Sequence, residues 1–360
     1  MEKNESKQLT PQKRTLIFLC LVVSGIASST LSTAMTTALP NLVESFGVSA
    51  GLMIDAFGWK SIFYLVLVIM SLSFVISCFV FEDVLELQDK KFDVLSFVES
   101  IFAFGGITLG IGNISNFGLI SLQAGLPLAV GIVVCVLSVI RQCGLEKPFL
   151  DMKILRNRSY AVSVVSSMVL YLVMMGSSVM MPLYVQNVMG YSAAVSGLVT
   201  FPGSLATAVV SPFAGRLYDK MGIKKIFTVG SAALVISNLG MFFLTTSTPL
   251  WVAAGLNVIR NISIGSLMMP LLTWGTTNVS VKKVADASSL LTSFRTIAGS
   301  IGSAVFVGIM TTVSANSEAV YGDQAMMHGM NVSFLWMTVG ALVLFLISVF
   351  GVKSKSQNYV

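Results

Sequence analysis

Three side chains in this sequence fall where charge is costly, and each could do chemistry for that reason. Glu99, Arg260 and Arg295 lie inside long apolar runs. An arginine at mid-bilayer costs roughly 2.5–3.5 kcal/mol on insertion scales, so something must offset it. For Arg260 the offset is a polar contact with a substrate or a carboxylate on a facing helix, or else backbone carbonyls, the basic loop at 215–225 or snorkelling. Arg295 has the same choice, with snorkelling toward the nearer surface open to it. Glu99 is the only acid well inside an apolar run. A carboxyl group that is alternately desolvated and rehydrated changes its pKa, which is what proton coupling requires. Glu99 is therefore the candidate proton carrier, the alternative being an interfacial carboxylate. Asp93, about 9 Å back along the same helix, and Asp286 occupy positions suited to capping helix starts.

A second set could make a binding surface. Met174, Met175, Met180, Met181, Met268 and Met269 are polarisable and adaptable. Tyr171 and Phe201 could stack and Asn257 could supply a polar contact. In a chain with 20 methionines, helix packing is the competing reading. Gly299, Gly302 and Ser303 read as small-residue helix contacts. Met326, Met327, His328 and Met330 offer soft metal ligands in an outward loop, but one histidine makes a poor site. Cys20, Cys78, Cys135 and Cys143 have neither metal-ligand nor redox spacing and read as small hydrophobes. No metal or cofactor is expected. The H-E-x-x-H pattern is missing, as are an intramembrane histidine and paired intramembrane carboxylates, which argues against a membrane-embedded enzyme.

The elements that hold these residues follow from composition. Hydrophobic residues are 55% of the chain and charged residues 11%, against roughly 25% charged in soluble domains. The apolar residues come in unbroken runs of about 20, the length of helix that crosses a bilayer. Lipid gives the backbone no hydrogen-bond partners, so such runs form helices. The sequence predicts an all-α polytopic membrane protein of about ten spans. They cover 15–39, 61–81, 94–114, 122–141, 160–184, 193–213, 225–245, 250–274, 286–313 and 331–352. The first is expected to be a retained span and not a signal peptide. Of the 22 lysines and arginines, all but Lys60, Arg260 and Arg295 then fall on one side of the membrane. The positive-inside rule makes that side, with both termini, cytoplasmic. The net charge of +6 is accounted for by this asymmetry, and nucleic acid is not expected as a partner.

The most specific motif lies between the sixth and seventh spans. Gly215, Arg216, Asp219, Lys220, Gly222, Lys224 and Lys225 fit G-x-x-x-D-x-x-G-x-R/K-R/K. Glycines there allow a tight turn and close helix approach. Asp219 can accept from a helix N-terminus or pair with a cation, and the basic residues hold the loop inside. This spacing resembles the signature loop of the major facilitator superfamily. Pro148–Arg158, Pro182–Gln186, Gly190–Ser192, Phe201–Gly203 and the Arg260, Gly265, Pro270 pattern are similar to its fourteen-span drug:proton antiporter branch. The resemblance covers nearly the whole chain. It implies a helical-bundle transporter of the bacterial plasma membrane, driven by the proton gradient, exporting amphipathic small molecules.

The pattern departs near residue 50. Ala38–Ala50 resembles the end of the family's first span and Gly51–Tyr64 the lead into its sixth, so about four spans are expected to be deleted at Ala50/Gly51. The first span carries Ser32, Thr33, Thr36 and Thr37 where the branch often has an acid or amide. The expected organisation is a tail (1–14), a remnant N-terminal bundle (15–81), two linker spans (82–141), a cytoplasmic linker (142–159), a six-span bundle (160–352) and a tail (353–360). The rival expectation is a non-transporting member of the same fold, or a partner subunit of a full-length permease.

Overall fold

The computed structural model describes residues 93–118, 121–145, 152–280 and 283–352, together with six separate helical positions, Tyr64, Leu67, Val68, Ser71, Leu72 and Val75. The expected span at 15–39, most of the one at 61–81, the junction at Ala50/Gly51 and the Pro148–Asp151 stretch lie outside the described residues. Every regular element among those described is helical. They are α1 (Val94–Phe117), α2 (Leu122–Gly144), a 3-10 turn (Met152–Arg156), α3 (Arg158–Leu183), α4 (Ala193–Phe242), α5 (Leu250–Thr277), α6 (Val284–Tyr321) and α7 (Ala325–Leu346).

Two of these need qualification. A straight helix of 50 residues would run about 75 Å, far beyond a bilayer's thickness. α4 instead breaks at Gly222, whose φ of 75° and ψ of 162° are non-helical, and so provides two passes. The expected spans 193–213 and 225–245 lie on either side of that break. α6 and α7 in turn extend past the apolar windows 286–313 and 331–352 and meet at the short turn Gly322–Gln324. The segment expected as an outward loop is therefore mostly helix. His328 sits near the start of α7, its ring stacked on Tyr321 with centroids 4.3 Å apart, and Met327 and Met330 are buried. Likewise the turn expected after residue 184 comes later, because a π-helical turn carries α3 on through Tyr184–Val188 to Gly190, at φ 70°.

α1 and α2 form a hairpin whose backbones nearly touch. A Cβ on Gly106 would lie 2.7 Å from the Pro127 carbonyl, and one on Gly131 would lie 2.5 Å from the Ile107 nitrogen. Small residues allow such approach where lipid provides no hydrophobic drive between helices. The hairpin packs on the rest of the molecule mainly through α1 against α6.

α3 to α7 share one core, centred on Val173, Met180, Met181, Phe227, Leu267 and Phe334. Four hydroxyls tie neighbouring helices together, each donating to a backbone carbonyl: Ser163 to Leu271, Ser237 to Leu256, Ser333 to Phe306 and Thr207 to Asn261. A smaller cluster joins Ile154 of the 3-10 turn to the starts of α3 and α6, where the Tyr160 hydroxyl donates to the Ala287 carbonyl at 2.7 Å. Gly302 rests on the Leu172 backbone and Gly299 on Met175, the small-residue contact expected of them.

Candidate functional site

Arg260, on α5, is 3% exposed. Its guanidinium donates to Asn257 Oδ1 at 2.6 Å, to the Ser177 carbonyl at 3.3 Å and toward the Met241 sulfur at 3.8 Å. Asn257, one helical turn before it, is itself 1% exposed. Asn261 closes the cluster by donating to Asn257 Oδ1 at 3.1 Å, and Thr207 of α4 binds the Asn261 carbonyl at 3.0 Å. The helices meet here because Gly203 leaves room for the two amides; a Cβ on it would fall within 2.8 Å of both. Among the described residues no carboxylate reaches Arg260. Of the expected offsets a backbone carbonyl is present, and the Asn257 amide oxygen adds one that the sequence reading did not name.

Arg295, on α6, is a different case. Its guanidinium lies 4.9 Å from the centroid of the Tyr171 ring on α3. Gly299, one turn on, makes space there for Met175 and Tyr171. Two of the expected binding residues, Tyr171 and Met175, thus meet the helix of the intramembrane Arg295 at one contact. Beside them Ser289, Thr292, Ser293, Thr296, Ser300 and Ser303 run along α6, and Ser289, Thr292 and Thr296 are exposed. Phe201 is half-exposed on α4. Met180 and Met181 are fully buried, so packing is their role, while Met269 is half-exposed.

Glu99 belongs to the hairpin. It accepts from Arg141 at 3.1 Å and from Ser138 at 2.8 Å, both on α2. Arg141 also bridges Asp93 at 3.1 Å. Asp93 caps α1, as its position suggested, accepting from the N–H and hydroxyl of Ser96. Those two bonds from Ser96, helped by Arg141, hold the Asp93 carboxyl below the usual carboxylate range. Asp286, by contrast, sits within the first turn of α6, and Lys283 occupies the cap position. Glu99 and Arg260 are therefore engaged with separate partners in separate parts of the molecule.

In the 215–225 loop the two motif glycines differ. Gly222 makes the break in α4, whereas Gly215 lies in ordinary helix with open space around it and makes no close helix contact. Arg216, Asp219, Lys220 and Lys225 are exposed and Lys224 is half-buried. Arg216 lies 5.9 Å from the Phe213 ring, and Asp219 has no ion pair among the described residues.

The profile of the Major Facilitator Superfamily matches residues 41–303. The chain belongs to that superfamily. Membership makes it a multi-pass membrane protein of transporter type and not an enzyme. An uncharacterized MFS-type transporter of Bacillus subtilis, YcnB, is 28% identical over 83% of this chain. The lincomycin resistance protein LmrB of the same organism is 29% identical over 82%, and the multidrug resistance protein Stp of Mycobacterium tuberculosis 27% identical over 81%. The matches span only 63%, 64% and 55% of those relatives' own lengths. A crystal structure of a bacterial homolog of the human lysosomal transporter Spinster, inward-facing and unoccupied, superposes with a TM-score of 0.53. At 14% identity over 95% of this chain and 98% of that one, it shows a shared fold.

Sequence reasoning passed over Arg141, Ser138 and Ser96. Arg141 counted as a cytoplasmic positive charge at the end of its span. The signal was available in spacing: residues 93, 96 and 99 share one face of α1, as 138, 141 and 142 share one face of α2. Asn261 and Thr207 carried no comparable signal.

Proposed function

We propose that this chain is a proton-coupled exporter of amphipathic small molecules in the bacterial plasma membrane. The observation that carries the reading is family membership over residues 41–303, with relatives named for lincomycin and multidrug resistance. Tyr171, Met175 and Arg295 supply an aromatic, a polarisable and a charged contact at one helix crossing, as a permissive binding surface needs. Phe201, exposed on α4, is a further candidate, whereas Asn257 on α5 is buried and engaged with Arg260 and Asn261. Glu99 remains the candidate proton carrier. Opening of its pair with Arg141 would free the carboxylate to take up a proton, and closure would expel it. The proton gradient supplies the energy, with both termini cytoplasmic and α3 to α7 forming the C-terminal bundle. Gly222, Arg216, Asp219 and the loop lysines mark the cytoplasmic gate on this reading.

The test is efflux of two amphipathic dyes, anionic fluorescein and a cationic rhodamine, from energised cells with membrane insertion verified. Efflux of either above the empty-vector rate, abolished by an uncoupler, supports the proposal. No efflux of either removes it for the isolated chain. The short span of the relatives covered favours one second reading, a partner subunit or non-transporting member; co-purification of a longer permease with the chain would support it.

A further inference from the structure

We infer that Arg295 is the recognition point for a negatively charged group on the substrate, so that the transported class is anionic amphipaths and not lipophilic cations. The inference rests on the exporter reading and makes it narrower. It starts from the contrast between the two intramembrane arginines. Arg260 is closed off from solvent and, although its Nε has no partner, its terminal nitrogens are met by Asn257, Ser177 and Met241. Arg295 makes no hydrogen bond among the described residues, although its Nε is buried. A guanidinium has five donors, and buried donors left unmet are rare in native structures.

Among the described residues no carboxylate pairs with Arg295. Glu99 is the only acid well inside an expected span, and it is held by Arg141 and Ser138. With no acceptor supplied by the described helices, we assign that place to an acidic group on the substrate. The Tyr171 ring explains how the site can wait for it. The guanidinium carbon lies over the ring at 4.9 Å, a contact that uses none of the N–H groups, so the two terminal nitrogens can form parallel bonds to a carboxylate or phosphate. The hydroxyls of Thr292 and Thr296, exposed on the same helix, give the neighbourhood a polar lining that suits water or ligand better than lipid. A lipophilic cation brought here would meet a positive charge with nothing to neutralise it, which is discrimination by repulsion.

The experiment measures binding, so it does not depend on turnover. Fluorescein and a cationic rhodamine share one ring scaffold and differ in charge. Their affinities for the purified full chain in detergent are read by fluorescence anisotropy. The expected result is at least about tenfold tighter binding of fluorescein, a tenfold difference being 1.4 kcal/mol. Arg295→Gln should abolish that preference by weakening fluorescein and relieving the repulsion of rhodamine, and Arg295→Lys should keep part of it by retaining charge without the planar fork. Equal affinities in the unmodified chain, no saturable fluorescein binding, or a preference that survives in a monodisperse Arg295→Gln protein would each overturn the inference. The unmodified chain alone suffices to overturn it, whatever the folding of the variants. Selective fluorescein binding without efflux of either dye would remove the exporter reading and leave the anion site standing. Gradient-driven rhodamine efflux without fluorescein binding would do the reverse.

Discussion

Asn257 Oδ1 is the nearest acceptor to a charge sealed inside the protein, at 2.6 Å from the Arg260 guanidinium. That makes the pair asymmetric to mutation. Asn257→Leu would keep the charge and remove its acceptor, the costly way to break a buried polar pair. A cost of roughly 2–4 kcal/mol is expected, in the range measured for stranding one member of a buried pair. Arg260→Met removes the charge itself and substitutes a flexible apolar chain, so its cost should stay within about 1 kcal/mol. Thermal unfolding of the purified variants in one detergent ranks them; Arg260→Met less stable than Asn257→Leu would refute this account. From sequence, Arg260 was legible as a residue needing an offset, because charge in an apolar run is visible in any single chain. Asn257, one turn before Arg260 on the same helix, was within reach of sequence spacing, whereas Ser177 and Met241 come from other helical passes and only packing brings them to it.

At the scale of elements, the motif glycines and the α1–α2 hairpin make separate predictions. Gly222→Val should cost about 1–3 kcal/mol, because a side chain at φ 75° and ψ 162° enters a region that essentially only glycine tolerates. Gly215→Ala should be neutral or mildly stabilising, since it lies in helix with open space around it. Melting temperatures of the two variants check this, and similar losses in both would refute it. The hairpin depends on pH through its cap. Asp93 has a folded pKa below its unfolded value, so its stabilisation is present above about pH 4 and fades as pH falls through the folded value. Spin labels on exposed Leu109 and Leu126 should therefore separate on acidification, and Asp93→Asn should loosen the hairpin at neutral pH and weaken the acid transition. An identical acid transition in that variant would exclude Asp93 as its cause. Helix positions from 94 onward were legible because apolar runs record which residues meet lipid. Helix ends were less so: α6 continues to Tyr321 and α7 begins at Ala325, in polar sequence that hydropathy does not mark as helix.

For the whole molecule the question is how much of a transporter this chain contains. Alternating access in folds of this kind moves one bundle against another around a central site. Here α3 to α7, with α4 passing twice, make one bundle around a shared core, whereas the matched relatives are longer than this chain's matching portion by more than a third. Along the first pass of α4, Leu198, Leu205, Val209, Phe213 and Leu217 recur at helical spacing and all are exposed. A stripe of this kind suits either lipid or further helices. If about four spans are absent at Ala50/Gly51, an even number has been removed and each remaining span keeps its direction, so the loop lysines stay inside. A chain with four family spans inserted between Ala50 and Gly51 should then fold in the same orientation and export dye at least about tenfold faster, equivalent to a 1.4 kcal/mol lower barrier. Efflux rates at matched membrane expression, with an uncoupler control, decide it. Equal rates would mean that the helices present already form a gated pathway, and the junction at Ala50/Gly51 would have to be read as a native feature of a smaller working transporter.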